Sequence, residues 1–255
     1  MPSLANCVAF VTGGSSGLGR AAVNRLLNMG SKACFVFDTQ APLYENTWGD
    51  KLLSKRGCVT KEEDVKTALR ECVTAFGRLD VVLNCAGVGI AFKIINHRKR
   101  TTHNLQDVIR LLEINLLGTF NVNRLACEHL EKNEPDEDGL RGLLINTSGL
   151  AAINGRSGQA AYAASSAAVN SMTLPIARDV GPWGIRCLTI CVGYFDTPVF
   201  SSSPEILTEY LANSALSPRR LGKPEDYAHL VQSVIENPYL NATVINLDGG
   251  LRLMY

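Results

Sequence analysis

Long apolar runs are missing from this 255-residue chain, and no stretch approaches the ~18 residues that span a bilayer. Charge is sparse as well. Asp, Glu, Lys and Arg make up 19% of residues and nearly cancel, at a net +1, so the overall balance indicates neither direct nucleic-acid binding nor an acidic membrane surface. Eight cysteines are present without a single CxxC pair, and His103, His129 and His229 have no ligand-spaced partners. That pattern speaks against a zinc site or a disulfide framework, and no metal is expected. Most of the cysteines fall in apolar runs such as Lys32–Phe37 and suggest buried free thiols in a reducing compartment. No arginine precedes Arg20, and Met1–Asn6 runs straight into a strand-like segment. A secretory signal has no room there and a basic presequence is lacking, so an intracellular, soluble protein is expected.

What is present is an alternation of short apolar strands with helical patterns. Cys7–Val11, Ala33–Phe37, Leu79–Asn84, Leu143–Asn146, Arg186–Cys191 and Thr243–Leu247 read as strands. Residues 17–29 read as a helix with Leu26, Leu27 and Met29 inward, and 61–76 as another, opened by a capping box of Thr60 and Glu63. Such alternation predicts an α/β fold, a Rossmann-type doubly wound parallel sheet in a single domain over 1–255. One interval is short. A helix near 46–56 would leave only Gly57-Cys58-Val59 before Thr60, which predicts a stunted third strand at the sheet edge.

Thr12-Gly13-Gly14-Ser15-Ser16-Gly17-Leu18-Gly19 follows the first strand and opens the first helix. Glycines there allow a tight turn and bring backbone N–H groups and the helix dipole close to a pyrophosphate. Asp38 ends the second strand, where a carboxylate accepts from ribose hydroxyls and repels a 2′-phosphate. The order strand, loop, helix, strand, acid points to NAD rather than NADP.

With these features, Asn84-Cys85-Ala86-Gly87, Asn115 in Glu-Ile-Asn-Leu-Leu-Gly, and Tyr162 in Gln-Ala-Ala-Tyr-Ala-Ala-Ser, the sequence resembles the short-chain dehydrogenase/reductases. Asn133–Asp136, Met172–Asp179, Tyr227–Gln232 and Ile235–Pro238 narrow the likeness to the branch acting on 3-hydroxyacyl-CoA thioesters and 17β-hydroxysteroids. The resemblance implies a homotetrameric, NAD-dependent oxidoreductase of the mitochondrion (otherwise the cytoplasm) acting on a small-molecule alcohol or ketone. It also implies a possible second role beside a tRNA methyltransferase in ribonuclease P. By the same resemblance Gly13, Ser16, Gly17, Leu18, Gly19, Asp38, Val59, Cys85, Ala86, Gly87, Tyr162, Phe195 and Thr197 bind the cofactor. Gln159 lines the substrate pocket, and Tyr162 and Asn115 are catalytic.

Family chemistry uses a tyrosine, a lysine four residues on, a serine thirteen residues earlier, and an asparagine. Counted from Tyr162, the lysine position holds Ser166 and the serine position holds Gly149. Tyrosine titrates near ~10, so about one phenol in a thousand is ionised at pH 7, and a nearby cation lowers that value by roughly 1–3 units. A missing oxyanion donor costs ~10²–10³ in rate. Impaired catalysis, or a silent paralogue acting as an NAD-binding or assembly scaffold, is therefore expected. Ser148 would point to the opposite face, no lysine occurs between Lys132 and Lys223, and Arg156 and Arg178 read as solvated or surface-paired cations. The family's adenine-contacting Asp-Val reads Cys58-Val59, and its Pro-Gly reads Val192-Gly193. The cluster His97–Arg100 reads as a solvated basic loop.

Overall fold

The computed structural model describes residues 4–40, 48–198 and 204–252. In chain order the elements are β1 (Val8–Thr12), α1 (Gly17–Asn28), β2 (Ala33–Asp38), β3 (Leu52–Arg56), α2 (Glu62–Phe76), β4 (Val81–Asn84) and a small hairpin of β5 (Ile95–Asn96) and β6 (Thr101–Thr102). There follow α3 (Leu105–Leu112), a π-helical turn (Glu113–Gly118), α4 (Thr119–Leu130), β7 (Gly142–Gly149), α5 (Ala160–Val180), β8 (Ile185–Val192), α6 (Glu205–Asn213), α7 (Pro224–Glu236) and β9 (Val244–Leu247).

The large sheet is wholly parallel, in the order β3-β2-β1-β4-β7-β8-β9. Strands buried on both faces need apolar residues at successive positions, which is why β1 and β8 are buried from end to end. Val23, Leu26 and Leu27 of α1 join Val231 and Val234 of α7 on one face. Val65 and Leu69 of α2, Val122 and Leu125 of α4, and Ala177 of α5 cover the other. The strand order reverses between β1 and β4, and the crevice at their carboxyl ends is where such sheets bind ligands. Beneath that crevice Asn84, Asn123 and Asn146 are buried and bond to one another at 2.7–3.0 Å. The triad ties α4 to β4 and β7, a cross-link that buried amides make only when their partners are in place.

Three local expectations need correction. The third strand is Leu52–Arg56, five residues where a helix near 46–56 was expected, and it does lie at the sheet edge. Residues 41–47 of that interval are outside the described residues. Most of β3 is exposed, and Lys55 pairs with Glu71, so it shows charge where an interior strand shows Val or Ile. Gly57 then carries the chain across the Phe37 ring, where a Cβ would sit 2.4 Å from ring carbon Cε2. The Thr60–Glu63 capping box does not form. Lys61 occupies the N-cap of α2, and the Asp64 carboxylate instead accepts from the Cys58 N–H at 3.0 Å. Met29 caps α1 with its side chain 49% exposed rather than inward.

Candidate active site

The carboxyl ends of β1, β2, β4 and β7 open onto one cleft of about 1020 Å³. That is the upper end of the roughly 300–1,000 Å³ typical of ligand pockets, large enough for a dinucleotide with a small second ligand. Every residue assigned to a site from the sequence lines this cleft, and so do Gly149 and Ser166.

At one end the glycine-rich loop is shaped by contacts that only glycine permits. Gly13 has φ +66°, and a Cβ there would lie 2.7 Å from the backbone of Cys85 and Ala86. A Cβ on Gly19 would lie 2.4 Å from the Gly13 carbonyl oxygen. The loop is thereby pressed against the end of β4, where the Thr12 hydroxyl accepts from the Ala86 N–H at 3.2 Å. Ser16 is the N-cap of α1 but its side chain makes no capping bond. Its hydroxyl and the first helical N–H groups therefore remain for an anion at the helix N-terminus. One Asp38 carboxylate oxygen accepts from the Ser15 N–H and the other from the Gln40 N–H, both at 3.0 Å. These bonds fix the carboxylate at the end of β2 with acceptor capacity to spare. Cys58 and Val59 close this end, the thiol lying 3.1 Å from the Thr60 hydroxyl. This cradle fits the pyrophosphate and ribose of a dinucleotide.

At the other end Tyr162 rises from the first turn of α5. A Cβ built on Gly149 would meet its hydroxyl oxygen at 2.6 Å, so the phenol packs directly on the glycine backbone. Burial pushes the Tyr162 phenol above its ordinary value, and a hydrogen bond with the Ser166 hydroxyl opposes this only in part. Cys191 and Tyr194 add to the rise, and among the described residues no Lys or Arg contributes to lowering it. Ser148 does not face away from α5 as expected: its hydroxyl donates to the Asn170 Oδ1 at 2.5 Å, on the same helix as Tyr162 but about two turns farther along, and is engaged there.

Asn115 sits in the π-helical turn, a geometry that often marks functional sites. Its amide holds Val88 from both sides, accepting from the N–H and donating to the carbonyl at 2.9 Å each, and also reaches the Ser165 hydroxyl at 3.3 Å. Gln159 accepts from the Arg156 N–H at 2.9 Å and donates to the Tyr194 hydroxyl at 3.2 Å. Phe195 is buried, and Thr197 packs against Gly17 across the cleft.

Sequence reasoning missed two features. Buried Tyr227 reaches up to Thr147 and Cys85 in the cleft lining, its hydroxyl 2.7 Å from Thr147 and 3.3 Å from Cys85. Nothing in their spacing announces it, because they come from three separate elements. Arg156 is also not a plain surface cation. It lines the cleft half-buried, its guanidinium 5.3 Å from the centre of the Tyr210 ring. Arg178 is exposed, as expected.

Comparison with known proteins agrees with this geometry. The short chain dehydrogenase family profile matches residues 7–206. The chain is 47% identical to 3-hydroxyacyl-CoA dehydrogenase type-2 of Homo sapiens over 253 residues, covering 98% of this chain and 97% of the relative. It is also 47% identical to the protein of that name from Drosophila melanogaster, covering 98% of each. A crystal structure of 3-hydroxyacyl-CoA dehydrogenase type-2 from Mycobacterium avium superposes with a TM-score of 0.89 at 32% identity, over 98% of this chain and 97% of that one.

Proposed function

The chain belongs to the short chain dehydrogenase family, and on that footing we propose that it binds NAD(H) together with a 3-hydroxyacyl-CoA or related secondary alcohol, but transfers hydride far more slowly than its relatives. The observation that carries this reading is the Tyr162 phenol, half-buried beside Ser166 and Gly149 with no cation among the described residues lowering its affinity for the proton.

When bound, the nicotinamide supplies or accepts the hydride. The protein's part is to position and to move one proton. The glycine-rich loop and the N-terminus of α1 hold phosphate, and Asp38 takes the ribose hydroxyls and disfavours a 2′-phosphate. Tyr162 must remove the alcohol proton or return it to the ketone oxygen. As a neutral phenol it can donate a hydrogen bond to a ketone, which supports ligand binding. As a base it is starved, since only about one phenol in a thousand is ionised at pH 7 even before burial raises its value. Gly149 offers no hydroxyl to the reacting oxygen, a loss of roughly 10²–10³ in rate for one such donor. The losses act on one step and need not multiply.

The same observation also favours a second reading, a silent paralogue retained as an NAD-binding or assembly scaffold. The family resemblance extends this proposal to a homotetramer, a mitochondrial location and a tRNA methyltransferase partner. Exposed Leu105, Ile109, Leu117 and Phe120, on α3 and the segment after it, support an interface of some kind. Calorimetry with NADH and NADPH tests the cofactor, with NADH expected to bind the tighter of the two. An acetoacetyl-CoA reduction assay separates slow from absent turnover, and co-purification with a tRNA methyltransferase tests the partner.

A further inference from the structure

Charge in the cleft is unevenly spread. Four lining residues are charged: Asp38, Arg110, Glu113 and Arg156. Asp38 serves the adenosine end, and Arg110 and Glu113 are exposed, of opposite sign and about one helical turn apart. Arg156 is left as the charge of the tyrosine end. Among the described residues no carboxylate lies within ion-pair distance of its guanidinium.

Its position is constructed rather than incidental. The central carbon of the guanidinium lies over the Tyr210 ring of α6, 5.3 Å from its centre. Among the described residues its N–H groups make no side-chain hydrogen bond, which leaves the planar fork for a planar acceptor. The Arg156 backbone is fixed in turn, its N–H donating to the Gln159 side chain, which also bonds Tyr194. Two cleft residues and one α6 aromatic therefore hold a single cation at the mouth of the substrate end.

We propose that Arg156 makes this end of the cleft a carboxylate subsite, so that the preferred ligand is a small keto acid or hydroxy acid rather than a neutral ketone or alcohol. The inference rests on the tyrosine end being the substrate end, as in the reading above, and departs from it in the ligand, a free acid where a thioester has no carboxylate. A carboxylate accepts two parallel N–H bonds from the fork, while its carbonyl or hydroxyl group reaches toward Tyr162. No covalent step is involved.

Titration calorimetry with acetoacetate and with methyl acetoacetate, with and without saturating NADH, tests the assignment. Acetoacetate is expected to bind at least tenfold tighter than the ester. Arg156→Gln should abolish that preference and Arg156→Lys should keep part of it, both with unchanged NADH affinity and circular dichroism. Equal affinities for acid and ester, no binding of either at millimolar concentration, or a preference that survives Arg156→Gln would each overturn the subsite. If NADH fails to bind while the acid preference persists, the cofactor reading fails alone. If NADH binds and the preference is absent, the subsite fails alone.

Discussion

The Tyr162 hydroxyl occupies the place where a side chain at position 149 would begin: a Cβ on Gly149 would lie 2.6 Å from the phenol oxygen and 2.9 Å from ring carbon Cε1. A serine there would do more than add a donor, because the ring rests directly on the glycine backbone. Gly149→Ser alone must push the end of the tyrosine side chain aside, which a flexible ring can do at modest cost. With Ser166 unchanged the phenol keeps its proton. The single variant is therefore expected to fold and to gain less than about tenfold in oxidation of 3-hydroxybutyryl-CoA by NAD, since oxyanion donors and the proton-transfer group act as a unit. A steady-state assay checks this.

The state of Tyr162 also fixes a pH dependence. Its folded value is raised above the ordinary ~10 by burial, so the ionised fraction grows about tenfold per pH unit throughout the neutral range. Residual alcohol oxidation should follow, with kcat/KM climbing log-linearly from pH 7 to pH 10 and no plateau. Ser166→Lys would bring a cation to the ring and move the plateau into that range. A flat profile in the unaltered protein would mean that another group carries the proton.

Thiol chemistry reports on the other end of the cleft. Burial raises Cys34 and Cys187 to about 12 and Cys85 to about 11, which leaves few thiolates at pH 8. Cys58 is half-exposed at the adenine end. Alkylation followed by peptide mass spectrometry should find Cys58 modified before these three, and saturating NADH should slow that modification. Labelling of Cys58 at the same rate with and without NADH would count against a cofactor in the adenine end.

Asp38 gives a selectivity test. Its carboxylate accepts from the Ser15 and Gln40 N–H groups, and on the proposed reading it disfavours a 2′-phosphate. Asp38→Ala is expected to weaken NADH binding and to raise NADPH affinity relative to NADH by ten-fold or more, read by calorimetry.

Much of this architecture was legible in the sequence because parallel strands buried on both faces must be continuously apolar, as Val8–Thr12 and Ile185–Val192 are. The glycine-rich loop was equally legible, since Gly13 and Gly19 meet backbone atoms that exclude any Cβ. The third strand was not. Leu52–Arg56 is an exposed edge held by its backbone ladder to β2, and ladder bonds leave no mark on side-chain pattern. Thr60 and Glu63 had the right spacing for a cap, yet Asp64 took the backbone donor that begins this turn, a choice between neighbouring carboxylates that spacing cannot make. That positions 149 and 166 carry Gly and Ser was legible by counting from Tyr162. The role of Arg156 was not, because its partner Tyr210 lies 54 positions away on a separate helix.

The central claim is that an absent cation, rather than a damaged scaffold, limits the chemistry. Oxidation of 3-hydroxybutyryl-CoA by NAD, followed at pH 7 for the unaltered protein and for Gly149→Ser combined with Ser166→Lys, tests it most directly. The account predicts turnover at least three orders of magnitude below the enzyme median of ~10 s⁻¹ for the unaltered protein, and a gain of about 100-fold or more in the double variant. Turnover near the median without any substitution, or no gain in a folded, NADH-binding double variant, would contradict it.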